Sequence, residues 1–154
     1  MSSPITAAFS HPVEKAVAIA LHAHAGQVDK AGAPYVLHPL RVMARMTDDL
    51  ARMAAVLHDV VEDGPGWTFD RLRAEGIPAA VVEALTFLTK RPEEEGDYDA
   101  FIRRVAGNAL ARRVKLGDLD DNMDLSRISA PTEADLRRLE KYRRARTLLE
   151  GLGP

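Results

Sequence analysis

The amino-acid sequence is a succession of segments in which apolar residues recur every three or four positions. In residues 11–25, for example, Val13, Val17 and Leu21 follow this spacing, and Gly26 ends it. Such spacing places the apolar side chains on one face of a helix. The strict alternation of apolar and polar residues that marks a strand is missing. We therefore expect an all-α fold.

The same spacing, together with cap residues and glycine or proline breaks, predicts the other helices. One helix is predicted to begin near His38–Pro39, and another to run from Asp48 or Asp49 to about Glu62. Five more are predicted over residues 68–75, 78–89, 97–107, 109–124 and 132–150. The segments 97–107 and 109–124 could also be one interrupted helix. The last helix begins with a capping-box-like sequence, Thr132–Asp135. We expect loops at residues 26–37 and 91–96, of which 91–96 is the more mobile.

Length and composition indicate one globular domain. The chain has 154 residues, of which 46% are apolar and 29% are charged. This balance is typical of a folded domain and unlike that of a disordered chain. We expect a single domain over residues 1–154, with residues 1–10 as a flexible N-terminal segment.

Charge and residue usage exclude several classes of protein. The net charge of −2 disfavours nucleic-acid binding through bulk charge. The absence of cysteine excludes disulfides, thiolate metal sites and a cysteine nucleophile. Neither a run of about 18 apolar residues nor a signal-peptide pattern is present. We therefore expect a cytoplasmic protein without a nucleic-acid or membrane partner; the oligomeric state is left open.

The most informative motif is His58-Asp59-Val60-Val61-Glu62-Asp63, which follows an apolar run. On a continuous helix, residues four apart share a face, so His58 would lie next to Glu62 and Asp59 next to Asp63. A carboxylate at the edge of an apolar core costs free energy unless it is paired. A divalent metal ion would pair with these groups. Glu62 and Asp63 could then orient a water molecule or move protons.

Two segments distant in the sequence offer further metal ligands. His38 opens a helix after a Gly/Pro-containing loop, and Asp118 lies where an apolar helix becomes acidic. Asp120 and Asp121 compete with Asp118 for this role. Two imidazoles and two carboxylates favour a six-coordinate divalent ion such as Mn²⁺ over a closed structural zinc site. Such an ion can activate water for hydrolysis.

Each of these residues also has a purely structural interpretation. His58 and Asp59 could form a hydrogen-bonded pair at a helix end, and His38 could be a capping residue. Glu62 and Asp63 could be a solvated helix end, although acidic residues there oppose the helix dipole.

Several motifs occur in a fixed order between residues 13 and 148. They are Ala23-His24-Ala25-Gly26-Gln27, Gly32-Ala33-Pro34-Tyr35, His38-Pro39, the segment from Leu57 to Asp63, and the segment from Val114 to Asn122. Together they resemble the HD-domain hydrolases. More narrowly, they resemble the hydrolase domain of the RelA/SpoT alarmone enzymes and their small stand-alone relatives.

This resemblance implies a single all-α HD domain with a metal-dependent phosphohydrolase activity. The implied metal ligands are His38, His58, Asp59 and Asp118, the implied catalytic residues are Glu62 and Asp63, and the implied substrate contacts are Lys30, Tyr35 and Asn122. The implied ion is Mn²⁺, with other divalent transition metals as alternatives. The implied reaction removes the 3′-pyrophosphate of (p)ppGpp, a small-molecule nucleotide, to give GDP or GTP and pyrophosphate. With no room for a synthetase domain, such an enzyme would only degrade alarmone.

Two acidic residues depart from the family pattern. Asp29 stands where the alarmone hydrolases usually carry an arginine before Lys30, and Asp124 stands at a basic position. Losing a charge-assisted contact costs roughly 1.5–3 kcal/mol. The substrate could therefore be another nucleotide or NADPH, or the chain could be a nucleotide-binding module with weak turnover.

Some residues keep two interpretations. Tyr35 and Asn122 either contact the nucleotide or brace a loop, and Lys115 is either a cation of the site or a solvated helix residue. The basic run of residues 137–146 could reach a phosphate or an acidic partner. It could equally be the solvated face of an amphipathic terminal helix.

Overall fold

The computed structural model describes residues 5–152, which form nine α-helices and two single-turn 3-10 helices. The α-helices are α1 (Pro12–Ala23), α2 (Leu37–Ala44), α3 (Asp49–Leu57), α4 (Val60–Asp63), α5 (Phe69–Ala74), α6 (Ala79–Leu88), α7 (Tyr98–Val105), α8 (Ala109–Asn122) and α9 (Glu133–Gly151). The 3-10 helices cover Pro92–Glu94 and Leu125–Arg127. Within residues 5–152, extended pairing is limited to one bridge between Val28 and Pro34. The predicted all-α fold is confirmed.

Helix α3 lies at the centre of the fold because nearly its whole surface is apolar. Residues 53–57 are all buried, as is Ala51 one turn earlier. A helix that is apolar on every side is stable only when other elements cover it. Helices α1, α2, α6 and α8 pack against α3 and provide this cover. The C-terminal end of α3 therefore brings His58 into the middle of the molecule.

Several predicted helix ends are found where the cap residues indicated them. Asn108 caps α8 by accepting a hydrogen bond from the Ala111 N–H, so α7 and α8 are separate helices. Thr132 and Asp135 form the predicted capping box at the start of α9. In the described part of the chain, no helix combines the length and apolar composition that a membrane crossing requires.

The predicted continuous helix from Asp48 or Asp49 to about Glu62 is wrong. Helix α3 ends at Leu57, and the backbone of Asp59 has φ −107° and ψ 0° before α4 begins. The consequence is geometric. Consecutive residues of a regular helix point in different directions, whereas the turn at His58–Asp59 lets both side chains face the same point.

Two segments expected to be mobile contain buried contacts. In the 91–96 loop, a 3-10 helix carries Glu94, which is buried against Arg104. In the N-terminal segment, residues 1–4 lie outside the described part of the chain. Thr6 is buried and donates a hydrogen bond to Glu75. The flexibility of residues 1–10 stays a prediction.

Candidate metal centre

Four side chains from three helical segments converge at the end of α3. His38 from α2 and His58 both direct Nε2 at Asp118 Oδ1 of α8, at 2.8 and 3.2 Å. Asp59 Oδ2 lies 3.1 Å from His58 Nε2 and 3.9 Å from His38 Nε2. Metal–ligand bonds of about 2.0–2.2 Å place neighbouring ligand atoms about 3 Å apart. The spacing of His38, His58 and Asp118 therefore suits one metal ion, and Asp59 lies beside the two histidines.

The other ring nitrogen of each histidine is already engaged. His58 Nδ1 lies 2.6 Å from the Ala55 carbonyl oxygen, which can only accept, so Nδ1 carries the hydrogen. His38 Nδ1 lies 2.6 Å from Asp121 Oδ2, and Arg41 donates to the same carboxylate at 2.8 Å. Metal-ligating histidines usually donate their second N–H in this way. Both Nε2 atoms are thus left free to coordinate an ion.

This geometry distinguishes Asp118 from Asp120 and Asp121, the two aspartates that compete with it as a ligand in the sequence. Asp121 lies behind the His38 ring, on the side away from Asp118. Asp120 pairs with Arg146 of α9 at 3.1 Å. His38 has no capping role, because the N-cap position of α2 is Val36.

The charges of the site also fit a cation. Within residues 5–152, Asp118 pairs with one lysine, Lys115, whose Nζ lies 2.7 Å from Asp118 Oδ2, whereas the ion-pair partners of Asp59 are the two histidines. Burial lowers the pKa of His58, but the charges of Asp59 and Asp118 outweigh it and raise that pKa well above its ordinary value. A site that draws a proton onto a buried histidine favours added positive charge. The cluster of His38, His58 and Asp118 could bind a metal ion.

Two curated proteins that are similar to this chain are named for the hydrolysis of (p)ppGpp. No family model matches the sequence. The chain is 33% identical over 129 residues to a guanosine-3′,5′-bis(diphosphate) 3′-pyrophosphohydrolase of Haemophilus influenzae, covering 78% of the chain and 19% of that protein. It is 33% identical over 150 residues to the bifunctional (p)ppGpp synthase/hydrolase SpoT of Escherichia coli, covering 92% of the chain and 21% of that protein.

A solved structure has the same fold over nearly the whole chain. It belongs to a metazoan ortholog of SpoT that hydrolyzes ppGpp, with a TM-score of 0.75 and 25% sequence identity. The match covers 94% of this chain and 89% of that one. The chain therefore has the fold of an HD domain and resembles the RelA/SpoT hydrolases. It spans about a fifth of the length of the curated relatives named above.

Tyr35 and Asn122 of this HD domain touch metal-site residues directly. The Tyr35 hydroxyl donates to Asp59 Oδ2, and Asn122 Nδ2 donates to Asp118 Oδ1 at 3.3 Å. Burial raises the pKa of Tyr35, and the Asp59 charge raises it further, so the phenol stays protonated. Both residues therefore orient carboxylates of the cluster. Their predicted contact with the substrate stays a prediction.

Glu62 and Asp63 lie on α4, one turn beyond Asp59. Glu62 lines the cavity above the cluster, whereas the Asp63 backbone carbonyl accepts a hydrogen bond from Gln27 Nε2 at 2.9 Å. Partial burial raises the pKa of both carboxyl groups, and the Asp59 charge raises them further. A carboxylate with a raised pKa is a better proton acceptor near neutral pH. The turn at His58–Asp59, and not a continuous helix, sets the position of this pair.

The cluster forms the floor of a cavity of about 650 Å³. Lys30, Tyr35 and Asn122, the expected substrate contacts, line it, and their contact with a substrate stays a prediction. The cationic residues of the lining are Lys30, Arg41, Lys90, Lys115, Arg127, Arg138 and Lys141. Seven carboxylates line the same cavity, and among them Asp59 and Asp118 belong to the metal cluster while Asp29 and Asp124 have structural partners. A bound cation would offset the charge of the cluster, so the lysines and arginines could bind an anion.

Asp29 and Asp124, the two departures from the family pattern, have structural partners in the HD domain. Asp29 Oδ1 accepts hydrogen bonds from two N–H groups of its own loop, those of Ala31 and Ala33, both at 2.9 Å. Asp124 pairs with Arg127 at 3.1 Å. Each carboxylate thus braces a turn, and Arg127 offsets the charge of Asp124.

Sequence reasoning missed part of the lining. Arg41 and Lys90 lie in none of the motifs that predict the site, and for the basic run 137–146 the sequence allows two interpretations. Arg138 and Lys141 of that run line the cavity, while Arg137 and Arg144 point outward, with 74% of each side chain exposed. No local signal in the sequence identifies these residues, because they reach the cavity only through the packing of distant segments.

Proposed function

We propose that the chain is a metal-dependent hydrolase that removes the 3′-pyrophosphate of (p)ppGpp, giving GDP or GTP and pyrophosphate, with Mn²⁺ as its ion. The observation that carries the proposal is the convergence of His38, His58, Asp59 and Asp118 below a cation-lined cavity. The names of the relatives supply the substrate class.

Hydrolysis adds water to the phosphorus next to the ribose 3′ oxygen and breaks the bond between them. The 3′ oxygen takes up a proton, so ppGpp and water give GDP and pyrophosphate. Glu62 suits the role of proton acceptor because it lines the cavity and its pKa is raised by partial burial. Lys115 holds Asp118 in place at 2.7 Å. A bound divalent ion would supply Lewis-acid activation.

The other expected roles fit this arrangement. Lys30, which lines the cavity, would contact a phosphate of the nucleotide. Asp63 is not among the lining residues, so its expected catalytic role stays a prediction. The nucleotide would be the partner of the chain. The expected cytoplasmic location and the expected lack of nucleic-acid and membrane partners stay predictions.

The test is hydrolysis of ppGpp by the purified chain with Mn²⁺, with GDP and pyrophosphate quantified by chromatography. Glu62→Gln should lower kcat by roughly 10²–10⁴-fold, the contribution typical of a general acid or base, while Mn²⁺ binding persists. Glu14→Gln, an exposed glutamate on α1, is the matched control and should keep full activity. A wild-type chain that leaves ppGpp intact contradicts the proposal. Turnover of NADPH or nucleoside monophosphates instead would identify another substrate.

A further inference from the structure

Lysine is concentrated around the cavity. The five lysines of the chain are Lys15, Lys30, Lys90, Lys115 and Lys141. All except Lys15 line the cavity above the metal centre. Arginine is far more abundant in the chain, so a shortage of other cations does not explain this placement.

Three of the four cavity lysines, Lys30, Lys90 and Lys141, lack a strong ion-pair partner within the described residues. Lys141 forms no ion pair within the described residues, and its Nζ lies 4.2 Å from the centre of the Tyr98 ring. Lys90 lies 3.7 Å from Glu95, a side chain that is 82% exposed. Such a surface pair contributes little free energy. Lys115, by contrast, is committed to Asp118.

Lys90 and Lys141 line the same cavity, where their like charges act on each other. Burial lowers the pKa of Lys141, and the charges of Lys90 and Lys115 lower it further. Like charges that crowd together in a concave site are stabilised when an anion binds between them. Residues 90 and 141 come from different parts of the fold, the segment that follows α6 and the middle of α9. Their approach is therefore a product of the tertiary fold.

Lys141 lies near the metal centre, because its Nζ and that of Lys115 approach the same Tyr98 ring, at 4.2 and 5.8 Å from the ring centre, and Lys115 pairs with Asp118. The positive charges of Lys115 and Lys90 counteract part of the rise in the pKa of Glu62. Lys30 lies in a different place, where Arg138 and Asp135 are the charges that affect its pKa. The cavity thus has one cationic region beside Glu62 and another beside the 26–37 loop.

We propose that Lys90 and Lys141 bind the pyrophosphate group at the ribose 3′ position, the group whose phosphorus is attacked, and hold it after cleavage. This rests on the proposed function. A diphosphate is the ligand class that fits, because it presents several adjacent negative charges to neighbouring ammonium groups. The phosphates at the 5′ end of the nucleotide would lie elsewhere, toward Lys30.

Calorimetric titration of inorganic pyrophosphate and of GDP into the Mn²⁺-loaded chain tests the proposal. Lys90→Gln and Lys141→Gln should each weaken pyrophosphate binding roughly tenfold, as expected for the loss of one charge-assisted contact. GDP affinity should change by less than about twofold. Lys15→Gln is the matched control outside the cavity, and Lys141→Arg should restore most of the pyrophosphate affinity because it keeps the charge.

Two results would overturn the assignment. One is unchanged pyrophosphate affinity in both glutamine variants, and the other is an equal loss of affinity for GDP and pyrophosphate. Thermal unfolding of each variant beside Lys15→Gln shows whether the fold is kept. If all variants hydrolyse ppGpp and pyrophosphate inhibits each of them equally, the assignment of Lys90 and Lys141 is wrong and the proposed function stands. If the wild-type chain hydrolyses no alarmone but the glutamine variants bind pyrophosphate more weakly, the proposed function is wrong and the two lysines still bind pyrophosphate.

Discussion

At the scale of single residues, the turn at His58–Asp59 explains how two neighbours in the sequence serve one site. The Asp59 carboxylate lies 3.1 Å from the His58 ring because the chain leaves the helix between them. The histidine rings are then fixed from behind by Ala55 and Asp121. Residues that do not touch the ion therefore determine which nitrogen faces it.

Asp121→Asn should weaken Mn²⁺ binding without removing any of the four proposed ligands. An amide binds the His38 N–H and Arg41 less strongly than a carboxylate does. Loss of such a supporting contact typically costs 10–100-fold in metal affinity, so a decrease of about that size is expected in a Mn²⁺ titration. Asp120→Asn, whose carboxylate faces α9, should bind Mn²⁺ like the wild type. Equal affinities for all three proteins would contradict the role assigned to Asp121.

At the scale of elements, the short helix α4 is held against α1 by a close approach at Gly64. A Cβ atom at this position would lie 2.5 Å from the Val60 carbonyl oxygen and 2.7 Å from the Ala23 Cβ. Neither neighbour is the flexible end of a long side chain. The residue after Asp63 must therefore be glycine for α4 to keep its place.

Gly64→Ala should lower the free energy of unfolding by about 1–3 kcal/mol, the usual cost of forcing an extra methyl group into a packed region. Urea titration followed by circular dichroism measures the difference. Gly151→Ala, where a Cβ meets nothing within 4 Å, should cause no loss of stability. A Gly64→Ala protein as stable as the wild type would mean that α4 can shift without cost.

The 91–96 segment is attached to α7 by a buried ion pair. Glu94 accepts hydrogen bonds from Arg104 at 2.7 and 2.8 Å, and Arg104 also donates to the carbonyl oxygen of Thr89, the residue before Lys90. The Arg104 guanidinium lowers the pKa of Glu94 below its usual value. The ion pair thus fixes the backbone that carries a cavity lysine.

Glu94→Gln should change how stability depends on pH. Because the pKa of Glu94 is lower in the folded chain than in the unfolded one, its contribution is present above the unfolded pKa of about 4.3 and is lost as pH falls through the folded pKa. The wild type should therefore lose more unfolding free energy than the variant between about pH 5.5 and pH 3. Glu93→Gln, an exposed neighbour, should follow the wild-type curve. Parallel curves for all three proteins would contradict the assignment to Glu94.

At the scale of the whole molecule, the sequence predicts local features better than it predicts approaches between distant segments. The helices and the caps at Asp48 and Thr132 could be predicted because periodicity and capping are local. His38 and Asp118 could be proposed as ligands because each lies in a local motif. Lys90 and Lys141 could not, since their approach depends on how α9 packs over the cavity. The break after Leu57 was also missed, because neighbouring apolar residues continue the helical spacing.

Mn²⁺ should stabilise the whole fold, because its proposed ligands come from α2, from the turn after α3 and from α8, which come together only in the folded state. At about 100 times its Kd, an ion that binds only the folded chain adds about 2.7 kcal/mol. For a domain of this size, that raises Tm by roughly 5–11 °C. Asp118→Asn should abolish the shift, whereas Asp70→Asn, on a side chain that is 94% exposed, should keep it. Differential scanning calorimetry with Mn²⁺ and then with excess chelator measures the shift and its reversal. An unchanged wild-type Tm, or an equal shift in Asp118→Asn, would show that these helices do not share an ion.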